Sequence, residues 1–375
     1  MKILINLATL KNGGGQNVGL NFVKCLIIEH YDLSEFLFVV SSGSLIEEEL
    51  SKCRYIDIIS VSKNPLKRMA FELFRGKKII KKYNIDIIYT LFGLGLYPKC
   101  CLQVSGSADS NIFFPDINFW EGYTGFSRIK KIIVDKYRIY ALRRAHSIIF
   151  ENELILEKAI ELFQLENVFF SKPSINPDFP CDPLEFPFIS SEFKIGLFFC
   201  SWQKNKNYML IPEILHEFKN RGIKFHIVIT APKSDLKSYN EFILKINSFN
   251  VSDLVTVLGP VKKTQIKALY EKADYVFLLS KLESFSNNII ESWFFKKVLV
   301  ISDEKWANAI CKEGALYVDR DNPLDIVEKI QSLERSSKQK SSIIAKGNQI
   351  LKTYPSIKEK VELELKYIRS LHEFN

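Results

Sequence analysis

The sequence predicts an α/β protein made of two doubly wound, Rossmann-like domains, and three observations predict it. Short apolar runs alternate with longer amphipathic segments along most of the chain, the pattern of parallel sheets covered by helices on both faces. Prolines 173, 177, 180, 183 and 187 crowd one stretch near the middle, where they resist both helix and sheet and mark a linker. At 375 residues the chain also exceeds what one ordinary core holds. The domains are therefore expected at 1–175 and 193–355, joined by a linker at 176–192, with a last helix at 356–375.

In the first half, 3–7 reads as a strand, 16–29 as a helix with Leu20, Val23 and Ile27 inward, and 36–41 as a second strand. Runs at 56–61, 85–90 and 147–150 continue the series. Residues 103–123, rich in Ser, Asn, Asp, Pro and Phe, fit neither period and read as a long loop near a site. After the linker the alternation restarts with a strand at 193–199 and a helix carrying Ile211, Ile214, Leu215 and Phe218. Strands follow at 225–230, 255–258, 275–279, 298–301 and 316–318, with helices between them, and the last forty residues read as helical.

Composition bounds the function. Hydrophobic content of 47% with 25% charged residues describes a globular protein, and no apolar run approaches the ~18 residues of a membrane span. The amino terminus lacks a small-residue cleavage pattern and reads as a first strand. Seven cysteines without a C-x-x-C spacing, and five histidines without H-E-x-x-H, argue for reduced thiols in a cytoplasmic setting and against a metal centre. The net charge of +9 is densest over 63–82, where Lys63, Lys67, Arg68, Arg75, Lys77, Lys78, Lys81 and Lys82 face a single acid, Glu72. Such a stretch is either a surface helix whose apolar side faces the sheet, or a basic element resting peripherally on the anionic inner face of a membrane. No helix-turn-helix, RNP or finger signature is present, so nucleic acid is disfavoured.

Ligands of open parallel sheets bind at the carboxyl ends of the strands, and three loops there carry suggestive residues. Lys11 to Gln16 contains Gly13, Gly14 and Gly15, which let backbone approach an anion at a helix start, although neither G-x-G-x-x-G nor a Walker pattern is met. Cys200 to Asn207 holds Lys204 and Lys206 at a strand-to-helix turn, suited to a diphosphate. Tyr275 to Trp293 runs from a buried strand through a polar loop with Glu283 into a helix with Glu291, capped by Ser286 or Asn287. The plain alternatives are a tight turn, solvated lysines, and a crossover with two solvated acids.

With its context, this third stretch resembles a known family. Glu283, seven residues and Glu291 form its Glu-x7-Glu motif, preceded by Leu258-Gly259-Pro260-Val261, by Tyr270 to Asp274 and by Ser280, and followed by Lys297 to Val300 and by Gly314 to Asp319. From 193 to 330 the chain resembles the retaining nucleotide-sugar glycosyltransferases of family four (glycosyltransferase group 1). The resemblance implies the GT-B fold, two domains facing across a cleft with C-terminal helices packing back on the first. It implies transfer of a sugar from a UDP- or GDP-type donor to a glycan or lipid-linked acceptor in surface polysaccharide or glycoconjugate synthesis, without cofactor or metal. Glu291 would then bind the donor ribose and Glu283 the transferred sugar, with Ser284, Phe285, Ser286 and Asn287 beside sugar and phosphate. Lys206 or Lys204 would meet the diphosphate, with Gly14, Gly15 and Ser201 near it and Gly259 and Pro260 near the base. Glu283, Lys206 and Asp109 are the catalytic candidates.

The sequence departs from the family pattern in three places. Ser284 and Ser286 stand where glycines are usual, Ser201 or Trp202 where a phosphate-binding Arg is usual, and the 105–111 loop offers Asp109 instead of a His. The competing readings are a nucleotide-sugar epimerase of the same architecture, and a homologue without activity that binds a membrane surface.

Overall fold

Ile3–Asn6 (β1) is fully buried, apolar but for Asn6, and the first sheet grows outward from it. The computed structural model describes residues 1–11, 13–93, 95, 97–175, 179–186 and 189–373. On one side of β1 lie Phe36–Ser41 (β2) and Asp57–Val61 (β3); on the other lie Ile87–Thr90 (β4), Leu102–Ser107 (β5), Ser147–Phe150 (β6) and Val168–Phe170 (β7). Every pairing is parallel, in the order β3-β2-β1-β4-β5-β6-β7. The reversal of direction after β3 puts helices on both faces.

The second sheet repeats the plan with Lys194–Phe198 (β8), Phe225–Ile229 (β9), Val255–Val257 (β10), Tyr275–Leu278 (β11), Val298–Ser302 (β12) and Leu316–Val318 (β13), ordered β10-β9-β8-β11-β12-β13. Its core stacks Phe198 on Phe277 and Phe218 on Phe225, with ring centroids 5.1 and 4.1 Å apart. The two doubly wound sheets are the fold class that the alternation predicts.

The 103–123 stretch differs from expectation, because its first residues are strand β5, between β4 and β6. Its inner residues are small and polar for a steric reason. Gly93 N donates to Gly106 O at 3.0 Å, and a Cβ on Gly106 would lie 1.9 Å from the carbonyl oxygen of Leu91. A strand that another backbone crosses so closely cannot show the apolar period by which strands are recognised. The edge strand β7 was likewise outside the expected series.

The contacts divide the chain into two units, 1–116 with 123–175 and 355–375, and 117–122 with 176–354. Of the expected linker, Pro177 and Pro187 lie outside the described residues; Phe179 packs on Phe294 and Phe295 of the second unit at 5.0 and 4.9 Å. The C-terminal helices separate. Ser337–Leu351 stays with the second unit, where Gly347 lies against Trp293 so closely that a Cβ would come within 2.2 Å of the indole. Ile357–Glu373 packs on the first unit, burying Val361, Leu365 and Ile368.

That last helix also buries two charges. Lys360 Nζ lies 2.5 Å from Glu151 and 3.5 Å from Glu364, whose oxygens accept from Ser171 Oγ and Tyr89 Oη at 2.8 Å each. Removing Lys360 takes the cation from two shielded carboxylates, which costs far more than losing a surface pair. Lys360→Ala should therefore destabilise the first unit by roughly 3–5 kcal/mol. Urea unfolding followed by far-UV circular dichroism measures this, and an unchanged midpoint would contradict it.

Candidate functional site

Strands β8 and β11 are neighbours in register, so the loops that leave their carboxyl ends run side by side. After β8, Trp202 turns inward, packs on Tyr208 and Phe242, and donates its indole N–H to Pro232 O at 2.7 Å. With that anchor set, Lys204–Lys206 forms one 3-10 turn, closed by Asn207 in the left-handed region at φ 57°. Asn207 Nδ2 donates to Arg320 O at 2.6 Å.

Asn205 joins the two loops. Its side-chain oxygen accepts from Leu282 N at 3.1 Å, its amide donates to Leu282 O at 2.8 Å, and its backbone carbonyl accepts from Lys281 N at 3.0 Å. The neighbouring Lys206 Nζ then meets Glu283 Oε1 at 2.5 Å, with 17% and 14% of the two side chains exposed. A charge-assisted contact that is mostly shielded from water holds both groups in one geometry.

Just beyond, Ser286 precedes the helix Asn287–Phe294 with no side-chain cap on its first N–H groups. Asn288 donates from its side chain to Phe199 O at 3.0 Å, which seats this helix start beside the end of β8. A cation, a carboxylate and a helix N-terminus so converge on one edge of the sheet. In the same helix Glu291 accepts from Tyr270 Oη at 2.8 Å, and burial pushes its carboxyl up to about 7 despite that bond and the nearby Lys263.

Other candidates fall around this edge. Lys204 Nζ donates to Gly122 O at 2.7 Å, and Lys281 pairs with Glu121, so the 117–122 segment is held by two lysines. Ser201 is exposed, while Ser284 and Phe285 are half-buried, and the Phe285 ring lies 5.9 Å from that of Tyr354. Gly259, after β10, takes φ +94° with open space where a side chain would be, and Pro260 is exposed. Burial lifts the Cys200 thiol to about 12, which removes it as a nucleophile near neutral pH.

The first-unit candidates are placed separately. Gly14 and Gly15 open the helix Gly13–Ile28 behind Gly13 at φ +64°; Asn12 of that loop lies outside the described residues. Asp109 is engaged by Arg138 Nη2 at 2.9 Å, and Arg138 also binds Asp135 at 3.1 Å. Burial raises the Asp109 carboxyl while Arg138 opposes the rise, so the geometry ties it first to a structural pair.

Sequence reasoning missed Asn205 and Arg320. Arg320 is buried, with its Nε donating to Leu279 O at 3.1 Å at the end of β11. Burial lowers its pKa against the pull of Asp321, Glu304 and Glu121, and the guanidinium stays charged. Its place directly after Asp319 was the available signal. Among the described residues, no group of three or more His, Cys, Asp and Glu could hold a metal ion.

Residues 186–350 match the family described as "Glycosyl transferases group 1". No curated protein matches the sequence. Among solved structures, a glycosyltransferase from Rickettsia africae is similar at a TM-score of 0.70 and 17% identity over 98% of both chains. Sucrose-phosphate synthase from Thermosynechococcus elongatus gives 0.75 at 12% identity over 100% of both. HepE from Anabaena, crystallised with UDP and glucose, gives 0.69 at 13% identity over 99% of this chain and 100% of that one. At such identities the likeness shows the fold, which is GT-B.

The Glu291 carboxyl gives a pH test. Its folded pKa of about 7 lies above the 4.5 of an ordinary Glu, so its stabilising contribution is complete below about 4.5 and is lost as pH rises through 7. Glu291→Gln should flatten that fall. The melting-temperature difference between variant and wild type, followed from pH 5 to pH 8, should move in favour of the variant; a constant difference would contradict the assignment.

Proposed function

We propose that this chain, whose residues 186–350 belong to the group 1 glycosyl transferases, moves a sugar from a nucleotide-diphosphate donor to a glycan or lipid-linked acceptor with retention of anomeric configuration. The observation that carries the reading is the shielded Lys206–Glu283 pair, set beside an uncapped helix start within the family match. A UDP-type donor fits the neighbour crystallised with UDP and glucose, and a GDP-type donor is the other candidate.

Departure of a nucleoside diphosphate builds negative charge on the leaving oxygen while the anomeric carbon becomes oxocarbenium-like. Lys206 is the cation assigned to that charge, helped by the N–H groups at Asn287 and Asn288. To reach the phosphate, its ammonium leaves Glu283 Oε1, and the freed carboxylate is then open to hydroxyls of the transferred sugar. Each resting partner is thus replaced by a donor group of like character. Glu291, already hydrogen-bonded by Tyr270, is assigned to the ribose hydroxyls, and Gly259 with Pro260 to the base, where the missing side chain leaves room. Ser284, Phe285 and Ser286 would line the sugar and phosphate. Lys204, Ser201, Gly14, Gly15 and Asp109 keep supporting roles in donor or acceptor contact.

One preorganised donor to a developing charge is worth roughly 3–4 kcal/mol, or about 10²–10³ in kcat. Lys206→Ala should lose at least that factor in transfer while its far-UV spectrum is unchanged, and Glu291→Ala should abolish saturation by donor. Near-normal transfer by either variant would misplace the site. A thermal-shift panel of UDP, GDP, ADP and CMP identifies the donor class. One diphosphate should raise the melting temperature by several degrees, and a response to CMP alone would contradict the reading.

A further inference from the structure

The 125–142 helix of the first unit is built the wrong way round for a purely soluble surface. The inner side of Gly125–Leu142 carries Asp135, Arg138, Ala141 and Leu142; the last two are buried, and Arg138 joins Asp135 to Asp109. Phe126, Ile129, Ile133 and Tyr140, at steps of three, four and seven, line the opposite side and are 82, 54, 61 and 56% exposed. Arg128, Lys130 and Lys136 are exposed beside that stripe.

The neighbouring basic stretch repeats the pattern. It folds as Pro65–Ala70 and Gly76–Tyr83 with a π turn, Phe71–Arg75, between them. Ile80 is buried and Phe71 and Ile79 pack on the core, as a sheet-facing helix requires, but Leu66 and Phe74 are 73 and 78% exposed. Tyr137 of the 125–142 helix hydrogen-bonds Arg68 of this stretch, so the two elements adjoin. The acid of each element is turned to internal use: Glu72 is buried against Arg68, and Asp135 is held by Arg138. The charge left facing outward is positive, in a chain of net charge +9.

We infer that the outward stripe of the 125–142 helix, with Leu66 and Phe74 of the adjoining stretch, docks on an anionic phospholipid surface, the aromatic and isoleucine side chains entering the headgroup boundary and the lysines meeting lipid phosphates. Scattered exposed apolar residues are normal, but a continuous stripe rimmed by basic residues is an interaction surface. Its charge suits a lipid headgroup layer, and among the described residues no helix is long and apolar enough to cross a membrane, so the contact is peripheral. The sequence pointed to 63–82 alone; the outward face of 125–142 emerges only when its inner face is known. This inference is independent of the donor site.

The test is co-sedimentation of the full chain with vesicles of phosphatidylcholine alone or mixed with phosphatidylglycerol, at low and high salt. Wild type should sediment with the mixed vesicles and be partly released by salt. Ile129→Ser with Ile133→Ser, which leaves the charge unchanged, should weaken partition about tenfold or more, from the apolar area withdrawn from lipid. The melting temperature and the nucleotide thermal shift of this variant report that fold and donor site are intact. Lys130→Ala with Lys136→Ala should lose selectively the part that salt removes. The inference is overturned if wild type ignores mixed vesicles, if the serine variant partitions like wild type, or if the stripe proves to mediate a concentration-dependent dimer with no vesicle binding.

Discussion

Four consecutive carbonyls, those of residues 279 to 282, are each held by a side chain from a different part of the second unit. Arg320 Nε donates to Leu279 O at 3.1 Å, Ser302 Oγ to Ser280 O at 2.6 Å, Trp306 Nε1 to Lys281 O at 3.2 Å and Asn205 Nδ2 to Leu282 O at 2.8 Å. A loop leaving a buried strand has no ladder partners, so its backbone groups must be met otherwise or cost free energy. At about 1 kcal/mol net for each bond the four matter less for stability than for position. They fix where Glu283 begins, and with it the first turn of the helix that carries Glu291. Among the described residues, the Ser280 Oγ of this loop is buried without a hydrogen-bond partner.

On that fixed loop the charges balance. Lys206 and Glu283 arrive on adjacent loops already paired, so neither is stranded when most of the water is gone. The contact holds both side chains in one geometry, each supplying the other's partner. Arg320 differs: buried and bound to a backbone carbonyl, it is part of the frame. Lys204 and Lys281 serve a third purpose, since they hold the 117–122 segment against the second unit. Four cations near one edge thus have three separate tasks, set by what lies opposite each.

Much of this was legible in the sequence, for physical reasons. Strands buried on both faces are apolar along most of their length, and β1, β2, β8, β9, β11 and β12 announce themselves in that way. Strand β5 did not, because Gly106 lies under the Leu91 carbonyl and its neighbours are small. The Glu283 and Glu291 loop-and-helix was readable as local order, and the family match over 186–350 includes it. Asn205 was not, since its task is defined by a loop 77 residues away, and nothing in its own neighbours encodes that distance. Of the two positions where a phosphate-binding arginine is usual, Ser201 is exposed and Trp202 is a core side chain that anchors the lysine turn. Asp109 looked available in sequence because Arg138, its partner, comes from a separate helix. The outward stripe of 125–142 was hidden for the same reason: a helical period shows that one side is apolar, and only packing shows which way that side faces.

In the proposed function, Lys206 exchanges Glu283 for a donor phosphate on a loop that does not otherwise move. A crystal structure with a bound nucleoside diphosphate tests it directly. Lys206 Nζ should lie within hydrogen-bonding distance of a phosphate oxygen, with the Glu283 carboxylate released from it, the ribose against Glu291, and the bonds to the carbonyls of residues 279 to 282 unchanged. A nucleotide bound with Lys206 still on Glu283, or at any other edge of the sheet, would contradict it.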